Sequence, residues 1–330
     1  MSKENRLLDD IEQEELEEQR QQRYQRLKAR KTERTTKTNP VKKESYESNA
    51  DVQRWLQSQA LQENDRSKPG FNPTFLAGQR DASWILSSLT NFYEQDLITD
   101  VLHVVKSGKE ATVYCCTAAT STGLDYAAAK VYRPRMFRNL RNDAMYRQGR
   151  TQRDVDGRVI RGSVQHQQAA FKRQRGRAVR FSSWIEYEFQ THVLLYNAGA
   201  DVPKPLAQIG NSLLMEYIGE VGVAAPRLCE VRLNREEAYP LFERILHNIE
   251  LSLSHRRIHG DLSEYNILYW QGRVWLIDFA QAVDASQQDS TIYQLLLRDI
   301  ERVCRHFASY GVKAEPRELA NEMWVRHVGA

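Results

Sequence analysis

The sequence predicts an α+β fold of two lobes, the first rich in strands and the second helical. Three observations carry that prediction. From about residue 98, apolar side chains alternate in short runs (ITDVLHVV, ATVYCCTA, YAAAKVY), the period of half-buried strands. Beyond about residue 220 they recur mainly at helical spacing. A short linker near 216–222 divides the two regimes. A strand-rich lobe is therefore expected over about 81–215 and a helical lobe over about 220–330.

Residues 1–80 read as a charged arm and linker. Acids cluster at 9–18 and bases follow from Arg20 to Lys43. Glu, Gln, Arg and Leu favour helix, but too few apolar residues are present to bury one. A solvated helix or disordered arm is expected, its basic half either a solubilising segment or an RNA contact. Residues 46–80 hold a few anchors (Trp55, Leu56, Phe71, Phe75) and the turn-rich KPGFNP at 68–73.

Residues 82–97 carry apolar side chains at helical spacing and lead into three strands at 98–105, 111–118 and 126–132. Gly123 and Asp125 suit the turn before the third strand. A helix is predicted at 182–198, capped by Ser182 or Ser183 and ended by Gly199. Strands follow at 204–209 and 212–218. A long helix spans 234–256 from Asn234, with Pro240 in its first turns. Two short strands, 267–270 and 273–277, flank Gly272. The next helix runs from Ser290 to about Tyr310 and stops at Gly311. Its stripe is Ile292, Leu295, Leu296, Ile300, Val303 and Phe307. A last helix starts near Pro316.

The chain has 330 residues, 41% hydrophobic and 27% charged, with a net charge of +4. The core can be sizeable, and much of the polarity lies before residue 70. Four cysteines (Cys115, Cys116, Cys229, Cys304) form no metal-binding spacing and read as reduced thiols. No window approaches the roughly 18 apolar residues of a membrane span. The first residues show no apolar signal core. A cytoplasmic protein with no membrane and no DNA contact is expected.

The chemistry concentrates in HGDLSEYNIL at 259–268 and LIDFAQ at 276–281. Asp261, Asn266 and Asp278 form the minimal set for metal-assisted phosphoryl transfer. One carboxylate sits near the attacking hydroxyl, and an amide oxygen and a second carboxylate hold the ion that neutralises the phosphates. Lys130 sits among alanines on a strand, where an unpaired ammonium is costly. Glu188 is its natural partner, and Glu186 the alternative. The loop KSGKEATVY at 106–114 has one glycine, Gly108, that lets backbone N–H groups approach phosphate. It is neither a full GxGxxG nor a P-loop. His259 is expected to order the catalytic loop by hydrogen bonds.

These segments resemble the RIO family of atypical serine/threonine kinases. SGKEATVY resembles its phosphate loop, AAKVYR at 128–133 its lysine strand, and W-x-x-x-E-F at 184–189 its Glu-bearing helix. LLMEYIG at 213–219 is similar to its hinge and APRL at 225–228 to the motif after it. HGDLSEYNIL and LIDFAQAVD resemble its catalytic and metal loops. The match is to the branch without an N-terminal winged helix. It implies a small bilobal kinase fold with no extended activation segment, agreeing with the absence of APE after Asp278. It also implies ATP with magnesium, manganese being an alternative, gripped by Ser107, Gly108, Lys109, Val113, Lys130, Glu188 and the hinge residues Met215, Glu216 and Ile218. Asp261 and Asp278 would be catalytic, and Asn266 and Asp278 metal ligands. Autophosphorylation, an ATPase switch through a phospho-aspartate at Asp278, and a part in small ribosomal subunit maturation are further implications. Phe279-Ala280 departs from the small residues or valine and serine common at that place.

Between Arg133 and Arg180 stand fourteen Lys/Arg and three acids. This stretch reads as a flexible insertion, either a solvated loop or a contact for RNA or a pre-ribosomal particle. Two other functions remain open. Aminoglycoside and choline kinases share HGDxxxxN, but typically have His-Pro at Ser263-Glu264 and lack SGKEATVY. A slow, RNA-associated ATP-binding scaffold would have the same sequence features.

Overall fold

Five strands form one antiparallel sheet that carries half of the candidate site. The computed structural model describes residues 70–75, 82–108, 110–132, 174–286 and 290–329. The readings on Trp55 and Leu56, on most of the 1–80 arm, on Lys109 and on 133–173 lie outside these residues.

In chain order the first lobe holds α1 (Ala82–Glu94), β1 (Ile98–Ser107), β2 (Ala111–Ala118), β3 (Tyr126–Tyr132), α2 (Gln174–Asn197), β4 (Pro205–Ile209) and β5 (Ser212–Glu216). The sheet order is β1-β2-β3-β5-β4, with antiparallel neighbours. Alternation on β3 divides its two faces. Ala127, Ala129 and Val131 face the cluster built on Leu89 and Phe92 of α1. Tyr132 packs with Trp184 and Ile185 of α2, and Ala128 with Cys115 and Tyr217. Lys130 shares the register of Ala128 and Tyr132. Phe71 stacks on Tyr93 with ring centroids 4.7 Å apart, and the Phe75 N–H donates to Val101 O, so both expected anchors hold.

One boundary departs from expectation by more than three residues. The α2 helix begins at Gln174, eight residues early, so Ser182 and Ser183 lie inside it rather than at its start. The Arg, Gln and Ala of 174–181 are good helix formers with no proline among them. Basic charge there suggested a loop, but charge alone does not break a helix.

The second part begins with a two-residue hairpin, β6 (Gly219–Glu220) and β7 (Val223–Ala224), which sequence periodicity is too short to reveal. Then come α3 (Arg235–Ser254), β8 (Arg257–Ile258), β9 (Ile267–Trp270), β10 (Arg273–Leu276), β11 (Val283–Asp284), α4 (Ser290–Ala308) and α5 (Pro316–His327). Asn234 caps α3, accepting from the Glu237 N–H at 2.7 Å, while Glu237 returns to the Asn234 N–H. Pro316 opens α5, where its missing N–H costs nothing, whereas Pro240 is the sixth residue of α3 and leaves out one bond of the helix ladder. The whole predicted stripe of α4 is buried against α3 and α5. Each such side chain is worth about 1.5–3 kcal/mol. Among the described residues no helix is long and apolar enough to cross a membrane.

Candidate active site

Lys130 occupies the centre of the site. Its Nζ lies 2.7 Å from Glu188 Oε1 and 2.8 Å from Asp278 Oδ1. Glu188, not Glu186, is the partner, because Glu188 is 3% exposed and faces the sheet from α2. Glu186 instead accepts from Gln190 Nε2 along the helix. The Tyr132 hydroxyl donates to the other Glu188 oxygen, and Trp184 meets the Tyr132 ring edge-on at 4.9 Å. Burial alone would lower the Lys130 pKa, but Asp278 and Glu188 raise it well above its ordinary value. Lys130 is a committed cation. Burial raises Glu188 despite Lys130.

Asp278 ends the β9–β10 hairpin. The Ile277 N–H donates to Asn266 O at 3.0 Å, so Asn266 and Asp278 flank the open end of that hairpin. Asp278 has a left-handed backbone (φ 72°), which Asp tolerates better than most residues. Its side chain keeps 44% exposure. Burial pushes its carboxyl upward, but the charge and hydrogen bond of Lys130 hold it below the usual range. Phe279 turns the other way, into the core between His192 and His259, at ring distances of 5.5 and 5.1 Å. The aromatic departure at this position thus packs beneath the loop rather than around the carboxylate. The Trp184 Nε1–H donates to Ala280 O, tying α2 to the same loop.

The catalytic-loop residues are held from below. Asn266 Nδ2 donates to Asp261 O at 2.9 Å, and its Oδ1 takes no donor among the described residues. The His259 Nε2–H donates to Ile277 O at 3.1 Å, and burial holds this imidazole neutral by lowering its pKa. Its expected ordering role is what the geometry shows. Gly260 has φ 76°, and a Cβ there would sit 2.4 Å from Gln281 O, so only glycine lets the two loops touch. The buried Asp299 of α4 accepts from the N–H groups of Gly260 at 2.7 Å and Leu262 at 3.0 Å. Burial pushes its carboxyl up to about 7, against the pull of those donors and of Arg298 and Arg302. Arg298 donates to Gly260 O, and Arg302 Nη1 to Asp261 Oδ1 at 2.7 Å.

The loop after β1 closes tightly. The Gly108 N–H donates to Ala111 O at 2.9 Å, and the adjoining strand register is Ser107↔Thr112. That N–H is therefore spent inside the hairpin. The exposed Glu110 at the end of this loop has its pKa raised by partial burial and by the charges of Asp278 and Asp261, against the pull of Lys130.

Above Lys130 an apolar surface continues along the sheet. It includes Val105, Val113, Cys115, Ala128, Met215, Tyr217 and Ala224. At the hinge the Glu216 N–H donates to Lys204 O (2.8 Å), the Tyr217 N–H to Tyr126 O (3.3 Å), and Ile218 O accepts from the Ala225 N–H (3.0 Å). The Ile218 N–H has no backbone acceptor among the described residues. Gly219 lets the hinge pass close to β7, since a Cβ there would lie 2.4 Å from Val223 O.

Sequence reasoning selected Lys130, Glu188, Asp261, Asn266 and Asp278, and the fold links them by direct contacts or neighbouring segments. It named Tyr132 and Trp184 only as parts of motifs, and it missed Arg298, Asp299 and Arg302. Asp299 had a visible signal: it interrupts the apolar stripe of α4 at a core position, where a carboxylate needs partners.

As a donor set, the Asn266 amide oxygen and the Asp278 carboxylate are hard oxygen ligands. They suit magnesium, which is commonly held by one or two protein oxygens together with phosphates.

A family profile for the RIO domain matches residues 112–319. The RIO-type serine/threonine-protein kinase Rio1 of Thermoplasma acidophilum is 32% identical over 136 residues, covering 41% of this chain and 69% of that protein. Human serine/threonine-protein kinase RIO3 is 37% identical over 142 residues, covering 42% of this chain but 27% of that protein. Among solved structures, the Rio2 kinase–ADP/Mg2+–phosphoaspartate complex from Chaetomium thermophilum superposes with a TM-score of 0.51 at 17% identity. It covers 85% of this chain and 87% of that one, a likeness of protein-kinase fold.

Proposed function

We propose, from the premise that this chain belongs to the RIO domain family, that it is an ATP-dependent atypical serine/threonine kinase that autophosphorylates. The observation that carries this reading is the Lys130–Glu188–Asp278 arrangement beside Asp261 and Asn266. The kinase domain is taken to span 81–330, with 1–80 as an appended charged arm.

In this reading adenine lies on Val113, Ala128 and Met215, bonded to the hinge by the Ile218 N–H and the Glu216 carbonyl. Lys130, steadied by Glu188, meets the α- and β-phosphates, and Ser107, Gly108 and Lys109 cover them. Asn266 and Asp278 hold magnesium, or manganese, which supplies neutralisation of the phosphate charge. Asp261 accepts the proton of the attacking hydroxyl as its oxygen bonds to the γ-phosphorus and ADP departs. Losing such a group lowers the rate by roughly a hundredfold or more.

A finer role is an ATPase switch. Here an Asp278 oxygen attacks the γ-phosphorus, ADP leaves, and water later cleaves the acyl phosphate. The exposed Asp278 carboxylate and the phosphoaspartate of the Chaetomium complex support it. The basic 133–181 stretch supports contact with RNA or a pre-ribosomal particle, consistent with small-subunit maturation. The free cysteines, three of them buried, suit a reducing, cytoplasmic setting.

Incubation with γ-labelled ATP and magnesium tests these roles. Acid-stable label on the chain, lost in Asp261→Ala, is the expected result for a serine/threonine kinase. Hydroxylamine-labile label would assign the acyl phosphate. Label appearing only on an added amino sugar or choline would replace this reading with a small-molecule phosphotransferase.

A further inference from the structure

The carboxylates of Asp261 and Asp278 are open to the cleft, and Glu188 is buried behind them. Lys130 is committed to Glu188 and Asp278. Asp261 takes its cation from elsewhere, since HGDLSEYN itself contains no lysine or arginine. That cation is Arg302 of α4, at 2.7 Å from Oδ1, and it is the only ion-pair partner of Asp261 among the described residues.

The contact is one of a set. Arg298, Asp299 and Arg302 lie within a single turn of helix and hold three successive loop residues, Gly260, Asp261 and Leu262. The helix beneath them is anchored by its buried stripe, so the guanidinium has a fixed base. Asn266 holds the Asp261 main chain at the other end. A half-exposed aspartate fixed only through its backbone would still rotate about its side-chain bonds. One fixed oxygen stops that rotation and directs the other.

We propose that Arg302 is a positioning residue for phosphoryl transfer: it fixes one carboxylate oxygen of Asp261 so that the second is presented to the acceptor hydroxyl. This rests on the reading of Asp261 given above. The side chain of Arg302 is 31% exposed and that of Asp261 50%, so the pair borders the open cleft rather than the core.

The test compares Arg302→Gln, Arg302→Lys and the Asp261→Asn/Arg302→Gln pair with the full chain in single-turnover phosphorylation. Arg302→Gln should lower the rate constant roughly tenfold to a hundredfold, the cost of a misplaced reacting group, with little change in KM for ATP. Lysine should restore part of it. On the Asp261→Asn background the second substitution should cost almost nothing, because the two act through one contact. Without nucleotide, the 13C carboxylate resonance of Asp261 should move in Arg302→Gln while the melting temperature holds. An undiminished rate in Arg302→Gln, or an equal loss with and without Asp261, overturns the inference. A wild-type chain that transfers no phosphate removes the functional reading and this inference with it. An active wild type indifferent to Arg302→Gln removes this inference alone.

Discussion

The ammonium of Lys130 lies 2.7 Å from Oε1 of Glu188, a residue 58 positions later, and the pair joins sheet to helix. Glu188 is almost wholly buried, so the pair is both a stability element and the grip on nucleotide proposed above.

Removing one partner strands the other. Lys130→Met should destabilise the chain by about 3–5 kcal/mol, because Glu188 is left charged and buried. Lys130→Met/Glu188→Gln should recover part of that loss. Urea midpoints of the two variants check it; equal midpoints would mean the carboxylate finds other compensation.

Asp278 should govern the ion. With ADP and magnesium at a hundred times the dissociation constant, wild type gains about 2.7 kcal/mol of stability. Asp278→Asn should lose most of the magnesium-dependent share while keeping its unliganded fold. Thermal melts with ADP alone and with ADP plus magnesium separate the two terms.

Gly260 is required by geometry. Gly260→Ala drives a methyl group into Gln281 O and strains a left-handed backbone. The expected result is a melting temperature several degrees lower, about 1–3 kcal/mol, together with reduced turnover from displacement of Asp261. A variant as stable and active as wild type would show that the loops can separate at no cost.

His192 should set an acid limit. Its Nε2–H donates to Pro203 O at 2.6 Å, and burial lowers its pKa to about 4 from 6.5. Because the folded pKa lies below the unfolded one, its share of stability is intact above about pH 6.5. It falls between there and pH 4 as the unfolded chain takes the proton, by about 3 kcal/mol at most. Asp299, with its carboxyl raised to about 7, acts in the opposite sense over the same range. The check is therefore the difference between wild type and His192→Gln in denaturation from pH 8 to 4, a wild-type advantage that should shrink as pH falls.

Much of this was readable in the chain because the signals are local. Strands β2 and β3 have the predicted limits, since alternation and turn residues bound them on both sides. Lys130 was legible because a lysine among alanines demands a partner, and Asp261, Asn266 and Asp278 because their spacing is chemical. Arg302 was not, as an arginine one turn from Arg298 reads as an ordinary solvated face until the catalytic loop is seen against it. Nor was the start of α2, whose first turns have helix-compatible residues but no cap or apolar pattern to mark them.

Magnesium and a nucleoside triphosphate are expected to bind together between Lys130 and the Asn266–Asp278 pair. Titration calorimetry of the full chain with a non-hydrolysable ATP analogue decides whether they do. One-to-one association is predicted, strengthened by magnesium and weakened in Lys130→Met and Asp278→Asn. No heat of binding at millimolar nucleotide, with magnesium present and the chain folded by circular dichroism, would contradict it.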